Sequence, residues 1–342
     1  MFLDTFHKVY NSSLINYSKY LSDSIALIVT SPPYPMVTMW DECFKEQNKD
    51  IENYIDKKDY FNAWKSMHEV LNDVWKECIR ILRPGGIICI NIGDATRTFD
   101  GLFQMFSNRT IITDFFIHNG CVALPEIIWR KRTNAPNKFM GSGMYAPGAY
   151  VTLEHESILI FRKGSKREFV DDDKENRRKS AYFYNERNIW FSDLWEFQGV
   201  SQKGVKGSRD RNASFPIELP YRLINMFSVL ENDIVIDPFG GLGTTMMAAI
   251  MAGRNSISFD IDPVLCEYMK QRVFEETNWN RFREERLLNQ NKSIELEKEK
   301  GKKLYFNSNL NIEVKTKQEQ EIYLPFVDMV QMVEDKIVVV YK

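Results

Sequence analysis

The chain has 342 residues, 44% of them hydrophobic and 27% charged, and carries a formal net charge of -2. This length suits one large α/β domain with insertions or a small second domain, and the near-neutral balance excludes a globally basic nucleic-acid binder, so any such surface must be local. No apolar run approaches a membrane span, and the first ten residues lack the basic start and apolar block of a signal peptide.

In chain order, Ile25 to Thr30 is a continuous apolar run rich in β-branched residues, the pattern of a buried parallel strand. It stops at Ser31-Pro32-Pro33-Tyr34-Pro35, where three prolines forbid helix and sheet pairing. Trp64 to Leu82 carries apolar residues at helical spacing, and Arg83-Pro84-Gly85-Gly86 turns the chain after it. Ile87 to Ile92 is a second buried strand, Thr110 to His118 a helix closed by Asn119-Gly120, and Glu126 to Trp129 opens a third strand. Arg130 to Tyr150 has the Gly, Pro, Asn and Lys content of a loop. Ser157 to Phe161 is a strand, and the charged run Lys163 to Asn188 reads as a solvated, mobile loop. Phe215 to Pro220 leads into a helix through Leu223, Ile224 and Phe227. Asp233 to Ile236 is a strand, Thr244 to Ala252 a helix, and Ser256 to Phe259 a strand ending in Asp260. Pro263 opens a further helix. From Asn278 the chain is charged and helical, with a tail able to form a few strands. The five cysteines are scattered with no C-x-x-C pair. That argues against disulfides or a zinc site, so no metal is expected, and it fits a reducing cytoplasm. Cys89 and Cys266 read as small core residues. Strands alternating with helices predict an α/β fold: a doubly wound, mostly parallel sheet.

Two motifs carry chemistry. In Asp237-Pro238-Phe239-Gly240-Gly241-Leu242-Gly243, glycines let the chain turn sharply and a ligand approach its N–H groups. The helix starting at Thr244 aims its positive end at that ligand, and Asp260 at the next strand end can accept from ribose hydroxyls. This pattern fits any adenosine-containing cofactor, NAD included. In the second motif, Ser31-Pro32-Pro33-Tyr34, prolines lock the backbone so that the Ser31 hydroxyl and the Pro32 carbonyl project rigidly from a strand end. Two fixed acceptors suit a planar amine with two N–H groups, and Tyr34 offers a flat face for a base.

Together these segments resemble the amino-methylating DNA methyltransferases of restriction-modification systems. Ser31 to Tyr34 is similar to their Ser/Asp/Asn-Pro-Pro-Tyr/Phe motif, Asp237 to Thr244 to their glycine motif, and Phe215 to Leu219 to their Phe-Pro-x-Glu-Leu segment. Asn91-Ile92-Gly93-Asp94 after the Arg-Pro-Gly-Gly turn also looks like the family. The catalytic motif precedes the cofactor motif, as in the β subgroup, so the Rossmann-like sheet is expected to be circularly permuted. The matches span most of residues 8 to 270. In a doubly wound sheet the strands before Ser31 and before Asp237 should be neighbours at the point where winding reverses, so that both motifs face one crevice.

The resemblance implies S-adenosyl-L-methionine as cofactor. Asp237, Phe239, Gly240, Gly241, Gly243 and Thr244 would surround it, with Asp260 on the ribose and Phe215 and Pro216 packed nearby. Asp262 is expected to cap the helix after Pro263 instead. Ser31, Pro32, Pro33 and Tyr34 would be catalytic, acting on a flipped-out base without a covalent intermediate. No Pro-Cys dipeptide supports a cysteine nucleophile. Serine rather than aspartate in the motif points by family tendency to cytosine N4, with adenine N6 as the alternative. RNA or protein methylation, an inactive DNA-binding protein and a nicotinamide oxidoreductase are weaker readings.

Residues 130 to 211 hold 17 Lys and Arg against 11 Asp and Glu, while the rest of the chain holds 28 against 36. Positive charge is thus concentrated between the motifs, as a surface for double-stranded DNA requires. Arg130, Lys131, Arg132 and Lys138, with Lys203, Lys206, Arg209 and Arg211, are the candidate contacts. The expected organisation is a first catalytic part (1–132), a target-recognition region (133–187), a second catalytic part (188–275) and a C-terminal extension (276–342). Asp41 to Asp59 is acidic and reads as an exposed loop, a lid being the other reading. A cytoplasmic prokaryotic protein follows, and a cognate restriction endonuclease acting separately is the partner such systems carry.

Overall fold

The computed structural model describes residues 3–17, 21–131, 140–199 and 214–342. In its first half, strand β1 (Leu3–Asn11) and a short helix α1 (Leu14–Tyr17) precede β2 (Ile25–Thr30). Helices α2 (Asp41–Gln47), α3 (Asp50–Asp56) and α4 (Tyr60–Ile81) then lead to β3 (Leu82–Ile92) and to a hairpin, β4 (Ala95–Phe99) and β5 (Leu102–Phe106). Helix α5 (Asn108–His118) returns the chain to β6 (Cys121–Lys131).

A small pair, β7 (Met140–Gly141) and β8 (Ala149–Tyr150), precedes β9 (His155–Lys163), helices α6 (Asp171–Lys179) and α7 (Tyr184–Trp190), and β10 (Leu194–Phe197). Then come α8 (Glu218–Phe227), β11 (Ile234–Asp237), α9 (Thr244–Ala252), β12 (Asn255–Asp260), α10 (Pro263–Glu275) and α11 (Arg281–Glu299). The C-terminal strands are β13 (Tyr305–Asn307), β14 (Ile312–Val314), β15 (Val327–Val333) and β16 (Lys336–Tyr341).

Ten strands form one sheet in the order β10-β6-β9-β3-β2-β11-β12-β1-β16-β15. Its centre, β3-β2-β11-β12-β1, is parallel throughout, whereas β9 runs against both its neighbours and β16 against both of its own. The apolar run of β2 is explained by its place at the middle: all six residues are buried. Ile28 faces a core with Met67, Leu71 and Trp75 of α4, while Leu27 and Val29 face a second core with Leu223 of α8 and Ala248 of α9. A strand covered on both faces needs no polar alternation. Helix α9 is buried on every side, which is why its sequence is apolar all round.

The expected doubly wound, mostly parallel sheet is therefore present. Two expectations are corrected. Lys163 to Asn188 is not a loop but contains α6 and α7. The last turn of α6, Arg177-Arg178-Lys179, is basic and matches the helix dipole, and Lys179 pairs with Glu175 at 2.8 Å. Asp41 to Asp59 is not an exposed loop but carries α2 and α3, since Trp40, Cys43, Phe44 and Ile51 recur at helical spacing and all four are buried.

Candidate active site

The strands that precede the two motifs are hydrogen-bonded neighbours, Leu27 opposite Val235 and Ile28 opposite Ile236. The motifs therefore leave the sheet side by side at its carboxyl edge, and Thr30 Oγ1 donates to Asp237 Oδ1 at 2.6 Å, joining one to the other. Between them lies a cavity of about 320 Å³. Ser31 and Pro33 line it from one side, and Asp237, Phe239, Gly240, Gly241, Thr244 and Asp260 from the other.

The glycine turn is held by its own backbone. Gly240 N–H donates to the Phe259 carbonyl at 2.7 Å and Gly241 N–H to Asp260 Oδ2 at 2.8 Å. Asp260 Oδ1 accepts from Asp262 N–H at 2.9 Å. A carboxylate oxygen can accept more than one bond, so neither is exhausted by its backbone donor. Gly241 has φ +53° with no close neighbour, whereas Gly243, at φ +76°, would drive a Cβ to 2.8 Å from Met269 Cγ. Gly243 is not among the lining residues, so its demand for glycine comes from packing. Asp237 is buried, which pushes its pKa up from 3.8 to about 6 against the bonds from Thr30, Thr245 and the Phe239 N–H. Phe215 lines the cavity; Pro216 lies on an adjoining one with Thr244. Asp262 caps α10 through Val264 N–H at 2.9 Å, as expected.

On the other side Pro32, within the loop, is buried and does not line the cavity. Tyr34 is 5% exposed and does not line the cavity, so a base can stack on it only if the rim above opens. Its hydroxyl meets Ser31 Oγ at 3.0 Å, Asn91 Nδ2 at 2.9 Å and Glu156 Oε2 at 3.1 Å. Asn108, fully buried, donates from Nδ2 to the carbonyls of Pro35 and Gly93, both at 3.0 Å, and so staples the loop to the end of β3. Neither Glu156 nor Asn108 was visible in the sequence as a site residue: each stands alone at the start of an element, with no motif around it. Trp40, Cys43, Glu46 and Gln47 cover the cavity from the α2 segment, which Arg97 anchors through two bonds to Asp41 at 3.1 and 2.5 Å. The lid reading of this segment is the one that matches its position.

Arg130 and Lys131 end β6 on the same edge of the sheet as the cavity. Arg130 pairs with Glu154 at 3.5 Å and Glu196 at 3.4 Å, and Lys131 with Glu156. Arg132, Lys138, Lys203, Lys206, Arg209 and Arg211 lie outside the described residues. Burial pushes the thiols of Cys78, Cys89, Cys121 and Cys266 up, the reverse of what a nucleophile needs. No described helix is long and apolar enough to cross a membrane.

Residues 25–271 match the family model for N6/N4 DNA methylases. The chain is 49% identical to the Type II methyltransferase M.MthZI of Methanothermobacter thermautotrophicus over 80% of its length and 78% of the relative's. It is 46% identical to the Type II methyltransferase M.MjaI of Methanocaldococcus jannaschii, over 79% and 92%. Among solved structures, TTHA0409 of Thermus thermophilus in complex with S-adenosyl-L-methionine superposes with a TM-score of 0.59 and 29% identity, over 78% of this chain and 94% of that one.

Proposed function

The chain belongs to the DNA methylase family, and on that footing we propose that it transfers a methyl group from S-adenosyl-L-methionine to the exocyclic N4 of a cytosine flipped out of double-stranded DNA. The observation that carries the reading is the single cavity lined by both Ser31 and the glycine turn. Its features fit the cofactor: an apolar wall at Phe239 and Phe215, the Asp260 carboxylate in its lining, and the amino end of α9. The binding of that cofactor by TTHA0409 supports the assignment. The cofactor supplies an electrophilic methyl on a sulfonium, whose bonding pair stays with sulfur on transfer.

The protein's share is to hold and orient. Asp260 takes the ribose hydroxyls on the same oxygens that accept from its two backbone partners. Ser31 Oγ and the Pro32 carbonyl accept the two amine hydrogens, which turns the nitrogen lone pair out of ring conjugation and toward the methyl. The nitrogen gains the methyl and sheds one proton to solvent. Tyr34, with its hydroxyl anchored, stacks the base once the rim opens, offsetting part of the roughly few kcal/mol that flipping costs. Arg130 exchanges its carboxylate partners for DNA phosphates, Lys131, with three ammonium donors, takes a phosphate while it keeps Glu156, and contact with phosphates is likewise proposed for Arg132, Lys138, Lys203, Lys206, Arg209 and Arg211. Residues 133–187 are proposed to read the target between the catalytic parts 1–132 and 188–275, with 276–342 as an extension. Relatives named Type II methyltransferases support a restriction-modification role in a prokaryotic cytoplasm, beside a separately acting endonuclease.

The test is to incubate the protein with unmethylated DNA and S-adenosyl-L-methionine, digest to nucleosides and identify the product by mass spectrometry. N4-methylcytosine is expected, and Ser31→Ala should lose roughly 100-fold or more of the rate. N6-methyladenine would keep cofactor and mechanism but overturn the choice of base, since a hydroxyl can accept from either amine.

A further inference from the structure

Behind Ser31 stands a carboxylate that has no place in the mechanism above. Glu156, the second residue of β9, is 8% exposed and paired with Lys131. Its Oε2 lies 2.6 Å from Asn91 Nδ2 and 3.1 Å from the Tyr34 hydroxyl. Asn91 Nδ2 is also 2.9 Å from the Tyr34 oxygen, which is itself 3.0 Å from Ser31 Oγ. Four side chains from three separate strand ends thus share one closed set of hydrogen bonds.

The protons in this set can be counted. Paired with the ammonium of Lys131, Glu156 is a carboxylate and can only accept. Asn91 has two Nδ2 hydrogens and two acceptors in reach, so one goes to Glu156 and one to Tyr34. Tyr34 has a single hydroxyl proton. Two groups near it can only accept, Glu156 Oε2 at 3.1 Å and the Asn91 carbonyl at 3.4 Å, and the nearer, charged carboxylate takes the proton. Burial and the neighbouring carboxylate hold the Tyr34 pKa well above that of an ordinary phenol, so this proton stays on. The Tyr34 oxygen is then an acceptor toward Asn91 Nδ2 and Ser31 Oγ, and the Ser31 contact can run in one direction only, with Ser31 donating.

We propose that Glu156, acting through Tyr34, is a positioning residue that fixes the hydrogen-bond polarity of Ser31, so that Oγ meets the substrate amine with lone pairs alone. The proposal rests on the reading of Ser31 as the amine's acceptor. Its chemical point is specific to serine. A free hydroxyl rotates and can turn its own proton toward the amine nitrogen, occupying the lone pair that must attack. With its proton committed to Tyr34, Ser31 cannot do so. The arrangement gives a hydroxyl the one-way character that a carboxylate or amide oxygen has by nature.

Glu156→Gln keeps the shape but brings an N–H₂ group that can donate to Tyr34. Tyr34 is then free to donate to Ser31, and the Ser31 proton is released toward the substrate. Single-turnover methylation should slow by roughly 10- to 100-fold, the scale of one misdirected hydrogen bond in a transition state, while affinities for DNA and S-adenosyl-L-methionine stay at wild-type values. Tyr34→Phe removes the relay, so the double variant Glu156→Gln with Tyr34→Phe should be no slower than Tyr34→Phe alone. Additive losses, or a DNA-affinity loss equal to the rate loss, would each overturn the proposal. If Glu156→Gln melts early, Glu156→Asp, which restores an obligate acceptor, must recover most of the lost rate, and failure to do so counts against it. A wild-type protein that methylates no DNA sinks the functional reading and this proposal with it, whereas an active wild type beside an unchanged Glu156→Gln rate sinks the proposal alone.

Discussion

Asp237 carries the heaviest electrostatic burden in the site. Its carboxyl has lost most of its water, and burial outweighs the three hydrogen bonds it accepts, so its pKa is pushed up to about 6. A bound cation favours the ionised form. Affinity for the sulfonium cofactor should therefore be full above pH 6 and fall as pH drops through that value. Isothermal titration from pH 5 to 8 is expected to find this slope in the wild type and a flat, weaker profile in Asp237→Asn. The glycines beside it separate by the same kind of reasoning. Gly241 lines the cavity with open space around its α-carbon, whereas Gly243 is pressed on Met269. Gly243→Ala should lower thermal stability by at least the ~1–2 kcal/mol of a left-handed non-glycine residue, with the Met269 clash added. Gly241→Ala should meet only the backbone strain, and its main cost should be read in cofactor affinity. Both glycines stand in one motif, and only the packed structure separates their jobs.

Between elements, the most exacting contact joins the C-terminal helix α11 to α7. Arg286 meets Glu186 through two bonds of 2.5 and 2.8 Å, and both are nearly buried among Phe183 and Trp190. Removing one partner leaves a buried charge, so Glu186→Ala is expected to cost about 3–5 kcal/mol in urea unfolding, whereas the apolar pair Glu186→Leu with Arg286→Met should cost far less. This scale also explains what could be read from sequence. β2, α9 and the glycine turn were legible because burial on both faces, or a special backbone, leaves a one-sided composition. β1 was not: its inward residues include Thr5 and His7, polar groups satisfied by each other and by Ser256 and Tyr341 far along the chain. α2 hid behind its acidic residues although its apolar spacing was helical. Glu156 was illegible for a stronger reason, since its partners come from the ends of β2, β3 and β6, and no local pattern encodes their meeting.

For the molecule as a whole, two buried histidines set the response to acid. Burial lowers the His7 pKa to about 3 and the His68 pKa to about 4, from an ordinary 6.5. Both are neutral when folded, so the stability they contribute is present above pH 6.5 and lost as pH falls toward those values. Asp237 works the other way: its raised pKa favours the folded state below 3.8, an advantage gone by about pH 6. Two large shifts outweigh one, and the melting temperature is expected to fall from pH 7 to pH 5 in scanning calorimetry, less steeply in His7→Gln. The sheet that buries His7 closes across the whole chain: β1 lies between β12 and β16, with His7 opposite Ser256 and Leu3 opposite Tyr341. A ribosome makes β1 long before either neighbour exists. Through most of synthesis the strand is an open edge, free to pair with another nascent chain. Soluble yield in cells should therefore follow chaperone supply and growth temperature more closely than it follows the stability of the finished protein.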